Sequence, residues 1–253
     1  MRIDIITPFP AAFESYLGVS ILKRAIARRL ISVRFFDPRD FVRDRHRTID
    51  GKPYGGGAGM VLMAEPILKA TTVALRGSKR HGATRLPDGQ GGKDTAVVLL
   101  SAKGKQFNQK MAFEWAKRYK QLVLISGRYE GIDERVKAVI HDSGFKIHEI
   151  SIGPYVLTDG DAAAMVIVSA VARLIPGVIR LESLAEESHW DQLLKQEARS
   201  TSSGQATKTA SLEYPHYTRP GVLGWKGKQY RVPKVLLSGN HGEIGKWRQS
   251  HRR

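Results

Sequence analysis

The sequence contains no cysteine. That excludes a disulfide scaffold, a thiolate zinc site and a thiol nucleophile. Acidic residues are scarce: 24 Asp and Glu face 41 Lys and Arg, a formal charge of +17. Long apolar runs are also missing. The longest, Ala162 to Ala172, covers 11 residues and is interrupted by Ser169, whereas a helical bilayer span takes about 20. The opening MRIDIITPFP has no apolar core of secretory length. The expectation is a soluble, cytoplasmic protein with no membrane partner. Hydrophobic residues make up 42% of the 253, which is enough for a packed core and excludes disorder throughout.

The charge excess points to a polyanion, and nucleic acid is its usual source. It is concentrated in two places. Residues 21–52 hold ten Lys and Arg against four Asp, and residues 219–253 hold nine against Glu243. Neither stretch is a continuous amphipathic helix of the kind that lies on membranes.

Apolar patterning alternates between strand and helix. Ile3 to Thr7, Ser32 to Asp37, Ala96 to Leu100, Leu122 to Ile125 and Phe145 to Ile152 read as strands. Phe13 to Leu30, the later part of Met60 to Ala74, Gln106 to Tyr119, Ile132 to Ile140 and Asp161 to Leu174 read as helices. This order predicts an α/β fold with a mainly parallel sheet. Ligands in such sheets sit beyond the carboxyl ends of the strands. Three glycine-containing turns follow strand candidates there: Ser101 to Gly104, Gly127 to Gly131 and Ile152 to Tyr155. The run Tyr54 to Gly59 (YGGGAG) lacks the Lys-Ser/Thr of a P-loop and the third glycine of a dinucleotide fingerprint. Histidines are scattered, and no His, Asp or Glu grouping has metal-ligand spacing, so no metal residue is assigned. From Ser200 to Ser211 the composition shifts to Ser, Thr, Gly and Ala, as in a flexible linker. The expected units are residues 1–185, a linker 186–211 and a small basic domain 212–253.

Six strings occur in a fixed order. DRHRTID (Asp44 to Asp50) runs into PYGGGAGM (Pro53 to Met60). GRYEGIDERV starts at Gly127, SIGPYVLT at Ser151, RLIPGV at Arg173, YPHYTRP at Tyr214 and VLLSGNH at Val235. In this order the chain resembles the bacterial tRNA (guanine-N1)-methyltransferases. The resemblance implies a SPOUT-class parallel sheet with a trefoil knot and a small, mainly helical C-terminal domain. It implies a homodimer with the active site between subunits, acting on tRNA with guanosine at position 37. S-adenosylmethionine is the implied cofactor, with magnesium as the family's ion. The implied cofactor residues are Ser101, Gly104, Gly127, Tyr129, Glu130, Gly131, Ile152, Gly153, Pro154, Tyr155, Val156 and Leu157. Those implied for tRNA are Arg45, His46, Arg47, Asp50, Tyr54, Gly55, Gly56, Gly57, Tyr217, Arg219, Asn240 and His241. Arg39 and Arg43 join Arg45 and Arg47 as expected phosphate contacts, and Trp247 joins Tyr217 as a candidate stacking face.

Arg173 matches the family's arginine for guanine O6. The family's catalytic aspartate has no direct counterpart, because equal spacing from Arg173 reaches Ser188. Glu187 and Asp191 are the nearest carboxylates, Glu187 first, and His189 is a further candidate. Pro154, Asp159 and Asp161 stand where the family has aspartate, glycine and glutamate. The linker is long, and the chain stops soon after Arg248, so a weaker hold on tRNA is expected. The missing aspartate raises one alternative, an RNA-binding protein of this fold that has lost catalysis.

Overall fold

The computed structural model describes residues 1–54, 58–76, 93–180, 215, 217, 221–225 and 228–251. The chain divides into two compact units, Met1–Ile179 and Arg180–Arg253.

The first unit is built on five strands: β1 (Arg2–Ile6), β2 (Ser32–Phe36), β5 (Thr95–Gln106), β6 (Gln121–Ile125) and β7 (Lys146–Ser151). Their order is β2-β1-β6-β5-β7, and every pairing is parallel. A parallel sheet needs helices on both faces, and its strands are then apolar throughout. Val97 to Leu100 and Leu122 to Ile125 meet that condition and are buried. Alternation sorts their side chains between two cores. Ile3, Ile5, Val98, Leu122 and Leu124 pack with Phe13, Leu22, Trp115, Ile167 and Val168. Those partners come from a 3-10 turn (Pro10–Phe13) and from α2 (Ser20–Ala27), α4 (Gln109–Arg118) and α6 (Gly160–Ala172). Ile6, Val97, Leu99 and Ile125 face the other way, onto Ile67, Val73, Val136 and Ile140 of α3 (Ala64–Arg76) and α5 (Arg135–Asp142). The short α1 (Glu14–Leu17) precedes α2, and a two-residue pair, β3 (Asp50–Gly51) with β4 (Val61–Leu62), precedes α3.

One polar residue interrupts the apolar strand β1. Asp4 is fully buried and accepts from Arg34 Nε (2.7 Å) and Gln121 Nε2 (2.7 Å), with Arg2 Nε at 3.1 Å. Buried carboxylates persist when paired and hydrogen-bonded in this way.

Two expectations need correction. The helix read over Phe13 to Leu30 is broken after Leu17, because Val19 is extended and Ser20, which opens α2, takes a left-handed φ of 50°. The segment Ser101 to Gly104 is not a tight turn. It is the middle of β5, where Leu100 and Lys105 both oppose Ile150 of β7 across a register shift. A continuous apolar run signals the first half of that strand, but not the polar second half that returns to the same partner.

The second unit carries an antiparallel hairpin, β8 (Val222–Trp225) with β9 (Lys228–Arg231), then α7 (Lys234–Leu237) and α8 (His241–Ser250). Tyr217 packs edge-on against Trp247 at 6.2 Å, and Trp247 stacks on His251 at 4.3 Å. Among the described residues no helix is long and apolar enough to cross a membrane.

Candidate active site

Beyond the carboxyl ends of β6 and β7, and beside the middle of β5, the first unit opens into a cavity of about 1500 Å³. Residues from each of the three glycine-containing segments line it: Ser101, the run Gly127 to Gly131, and Ile152 with Tyr155 to Leu157. Strand order brings them together, since β6, β5 and β7 are neighbours. Gly51 to Tyr54 add a fourth wall.

The Gly127 segment is tied on two sides. On one, Leu62 N donates to Gly131 O, Asp133 N to Leu62 O and Glu130 N to Met60 O, each at 3.0 Å. Gly59 fits there because a Cβ would meet the Glu130 carboxylate at 2.1 Å. On the other, Gly160 N donates to Gly127 O at 2.7 Å. A Cβ on Gly160 would stand 2.7 Å from Gly127 N. The start of α6 is thereby pressed onto the turn after β6. Tyr129 holds a left-handed φ of 55° between these ties, a conformation that costs a non-glycine residue energy.

Three members of the expected cofactor set do not line the cavity. Gly104 lies against β7, where a Cβ would meet Ile150 N at 2.5 Å, so its lack of a side chain serves strand packing. Gly153 and Pro154 form the turn behind the wall. Ser151 Oγ accepts from Gly153 N (3.3 Å) and donates to Gly153 O (2.8 Å). The Tyr155 ring folds over Gly153, and its hydroxyl donates to Ile152 O at 3.3 Å.

Charges organise the rim. Asp50 accepts from the Tyr129 hydroxyl, and that bond is the first cause raising the Tyr129 pKa. Arg135 holds the Asp133 carboxyl low, and Lys103 and Lys137 do the same for Glu134. Beneath the Gly127 segment lies Asp161, 4% exposed. Burial pushes its pKa up, against the hydroxyls of Ser126 and Thr7, which act to lower it. Asp161 Oδ1 has no hydrogen-bond partner. Patterning signals did not mark Gly160, Ser126 or Thr7. Their role follows only from the close approach of α6 to β6.

Arg173 lies elsewhere. It caps the carboxyl end of α6, beside a second depression formed with Tyr16, Gln109, Val166 and Ala170. Thirteen helical residues separate it from the cavity end of the same helix, about 20 Å at 1.5 Å per residue.

Of the expected tRNA residues, Arg45 and His46 are exposed, and Arg47 pairs with Asp40. The Asp44 carboxylate accepts from Thr48 N at 3.1 Å and from its hydroxyl at 2.9 Å, which closes that loop. Tyr54 is 99% exposed at the cavity mouth. In the second unit, Asn240 caps α8 by accepting from Gly242 N and Glu243 N, and His241 is exposed. Gly55, Gly56, Gly57, Glu187, Ser188, His189, Asp191 and Arg219 lie outside the described residues. Among the described residues no group of three His, Cys, Asp or Glu could hold a metal ion.

The family model described as tRNA (Guanine-1)-methyltransferase TrmD matches residues 1–253. A tRNA (guanine-N(1)-)-methyltransferase of Chloroflexus aggregans is 50% identical over 252 residues, 100% of this chain and 83% of the relative. Proteins of the same name from Dictyoglomus turgidum and Carboxydothermus hydrogenoformans are 45% and 44% identical, each over 98% of this chain. They are covered over 84% and 81% of their own lengths. With its whole length matched by that model and by relatives at this identity, the chain belongs to the tRNA (guanine-1)-methyltransferase family.

Proposed function

We propose that the chain methylates N1 of guanosine at position 37 of tRNA, with S-adenosylmethionine as donor. The observation that carries this reading is the convergence of the three glycine-containing segments on one cavity. The cavity fits the donor. Leu100, Ile132, Ile150, Ile152 and Ala163 supply apolar walls for an adenosyl group. Glu130 supplies a carboxylate for a cationic amine, a charge-assisted bond. Glycine at 127 and 160 lets backbone come close where a side chain would clash. When bound there, S-adenosylmethionine supplies a methyl already activated by its sulfonium. The reading includes a SPOUT-type trefoil knot, which the tight contact of Gly127 with Gly160 supports.

Guanine N1 carries a proton at neutral pH and is a poor nucleophile until that proton leaves. A carboxylate within hydrogen-bond reach is the natural acceptor. Glu187 takes this role, with Asp191 next, because Ser188 is no comparable base. As the proton leaves, negative charge grows on guanine O6. The Arg173 guanidinium stabilises it, a contribution of about 3 kcal/mol at comparable sites. Arg173 stands ten residues, about 15 Å along α6, beyond Ala163, the last residue of that helix to line the cavity of its own chain. A second copy therefore supplies it, and the protein works as a homodimer. Around Arg173, α6 turns outward a stripe that includes Met165, Val166 and Ala170, with Tyr16 beside it. That surface suits a self-complementary interface. Arg45, His46 and the basic second unit hold the RNA by its phosphates.

A single-turnover assay on tRNA bearing guanosine 37, with the product nucleoside identified, tests the reading. The expected product is N1-methylguanosine. Glu187→Gln should slow transfer at least about a hundredfold. RNA binding without any methylated product would favour the alternative, an RNA-binding protein that has lost catalysis. An unchanged rate in Glu187→Gln would move the base to Asp191 or His189.

A further inference from the structure

Three neighbouring strands end at one level. Phe36, Ile6 and Ile125 are in register across β2, β1 and β6. Three residues beyond each stand Arg39, Phe9 and Arg128. The Arg39 guanidinium lies 5.0 Å from the Phe9 ring centroid, and that of Arg128 lies 4.4 Å from it. Both distances are close to the spacing between adjacent strands, about 4.8 Å. Strand register brings the three segments side by side, and the side chains beyond the strand ends complete this row of cation, ring and cation.

Arg39 and Arg128 each act on a carboxylate, Asp37 and Asp161, but neither is held in a close bidentate pair. Arg39 Nη1 donates to Pro8 O at 2.6 Å, and the nearest carboxylate oxygen, of Asp37, is 3.8 Å away. Arg128 is near enough to the Asp161 carboxyl to act on its charge, and its own buried Nε has no hydrogen-bond partner. Two guanidiniums on one ring repel each other, so packing holds them where charge alone would part them. A guanidinium stacked on a ring keeps its N–H edge for an outside acceptor and has already lost its rotamer freedom. Phe9 is 38% exposed, so the row reaches the surface. Arg128 also lines the cavity, and Tyr129 follows it at the rim, 5.7 Å from the same guanidinium. An anion bound between the two arginines would sit beside whatever enters the cavity.

We propose that Arg39 and Arg128, spaced by Phe9, form a phosphodiester clamp for the RNA strand next to the nucleotide that enters the cavity. The inference rests on the methyltransferase reading for its ligand. The geometry needs two guanidiniums on one intervening ring, each within about 5 Å of its centroid, and a backbone with one negative charge per nucleotide. Phe9 acts as a spacer, not as a stacking face for a base.

The test is equilibrium binding of an anticodon stem-loop RNA at several salt concentrations. S-adenosylmethionine affinity and melting temperature are measured on the same samples. Arg39→Gln should bind the RNA about tenfold more weakly at low salt, and its log–log salt slope should shrink by roughly 0.7 to 0.9. Donor affinity and melting temperature should stay at wild-type values. Phe9→Leu keeps both charges but removes the spacer, so affinity should fall severalfold with the wild-type slope. Wild-type affinity and slope in Arg39→Gln would overturn the clamp, as would wild-type affinity in Phe9→Leu. Loss of donor affinity or of melting temperature in Arg39→Gln would also overturn it, by making the row structural. None of these readouts needs turnover. A failed methyl-transfer reading would show separately, as wild-type protein that binds the RNA and leaves guanosine unmodified.

Discussion

The two ends of α6 differ in kind. At its start, Asp159 accepts from Asp161 N at 3.0 Å, Gly160 presses on Gly127, and Asp161 is buried beneath the cavity floor. Everything there serves the chain's own cavity. At its finish, Arg173 sits on the rim of a separate depression, and Val166 one stripe back is 45% exposed. One face of the helix, Ala163, Ala164, Ile167, Val168 and Val171, is core. The opposite stripe follows helical spacing: Ala162 and Val166 are exposed, and Met165, Ser169, Ala170 and Arg173 are half-buried. A monomer seldom leaves such a stripe to water without a use for it. The comparison teaches that one helix closes the chain's own cavity at its start and carries an arginine beside a separate surface depression at its finish.

The sharpest way to break that comparison is subunit complementation. Arg173→Ala should cut methyl transfer by at least about a hundredfold, as for loss of one donor to a developing oxyanion. Its donor affinity should not change. Gly160→Val should be equally inactive for the opposite reason. Even a Cβ there would stand 2.7 Å from Gly127 N, so donor binding is lost while Arg173 is intact. In a mixed dimer one composite site has both a sound pocket and a sound arginine. After subunit exchange the equimolar mixture should recover about a quarter of wild-type activity. No recovery from two folded, exchanging variants would place Arg173 and the pocket in one chain.

The next test acts on the stripe alone. Val166→Asp puts a charge on the uncovered face and leaves the cavity end untouched. The protein should sediment as a monomer, bind the donor normally and lose most of its methyl transfer. A monomer with full activity would sever the link between the interface and the chemistry.

The sequence showed much of this architecture, and unevenly. The apolar runs of β5 and β6 marked a parallel sheet buried on both faces, and the site was expected at their carboxyl ends. The Gly127 to Gly131 motif was legible because it closes a strand with unusual residue types. Gly160 was not, since its environment is made by Ser126 and Gly127, more than thirty positions earlier. Gly104 was misread for a related reason. A glycine placed to let β7 approach looks, in sequence, like one placed to approach a ligand. The row of Arg39, Phe9 and Arg128 could be seen only once the register across β2, β1 and β6 was known. Local pattern carries period and turn chemistry, but register between distant strands is a property of the folded sheet.

The cavity end of α6 also makes the smallest prediction, on stability. Burial raises the Asp161 carboxyl above its ordinary 3.8. The Asp159 charge adds to that shift, while Ser126, Thr7 and Arg128 oppose it. Between the ordinary value and the raised one, the folded chain holds more protons than the unfolded chain. Stability therefore falls as pH rises through that window, and the cost is complete at neutral pH. Asp161→Asn keeps the size and removes the charge. Its melting temperature at pH 7.5 should exceed that of the wild type by a few degrees, and the gain should shrink as the pH is lowered toward 4. A variant that is less stable at pH 7.5 but not at pH 4 would mean the opposite. The carboxylate would then be held charged by Arg128 and the two hydroxyls, and its ionised form would lock α6 onto the Gly127 turn.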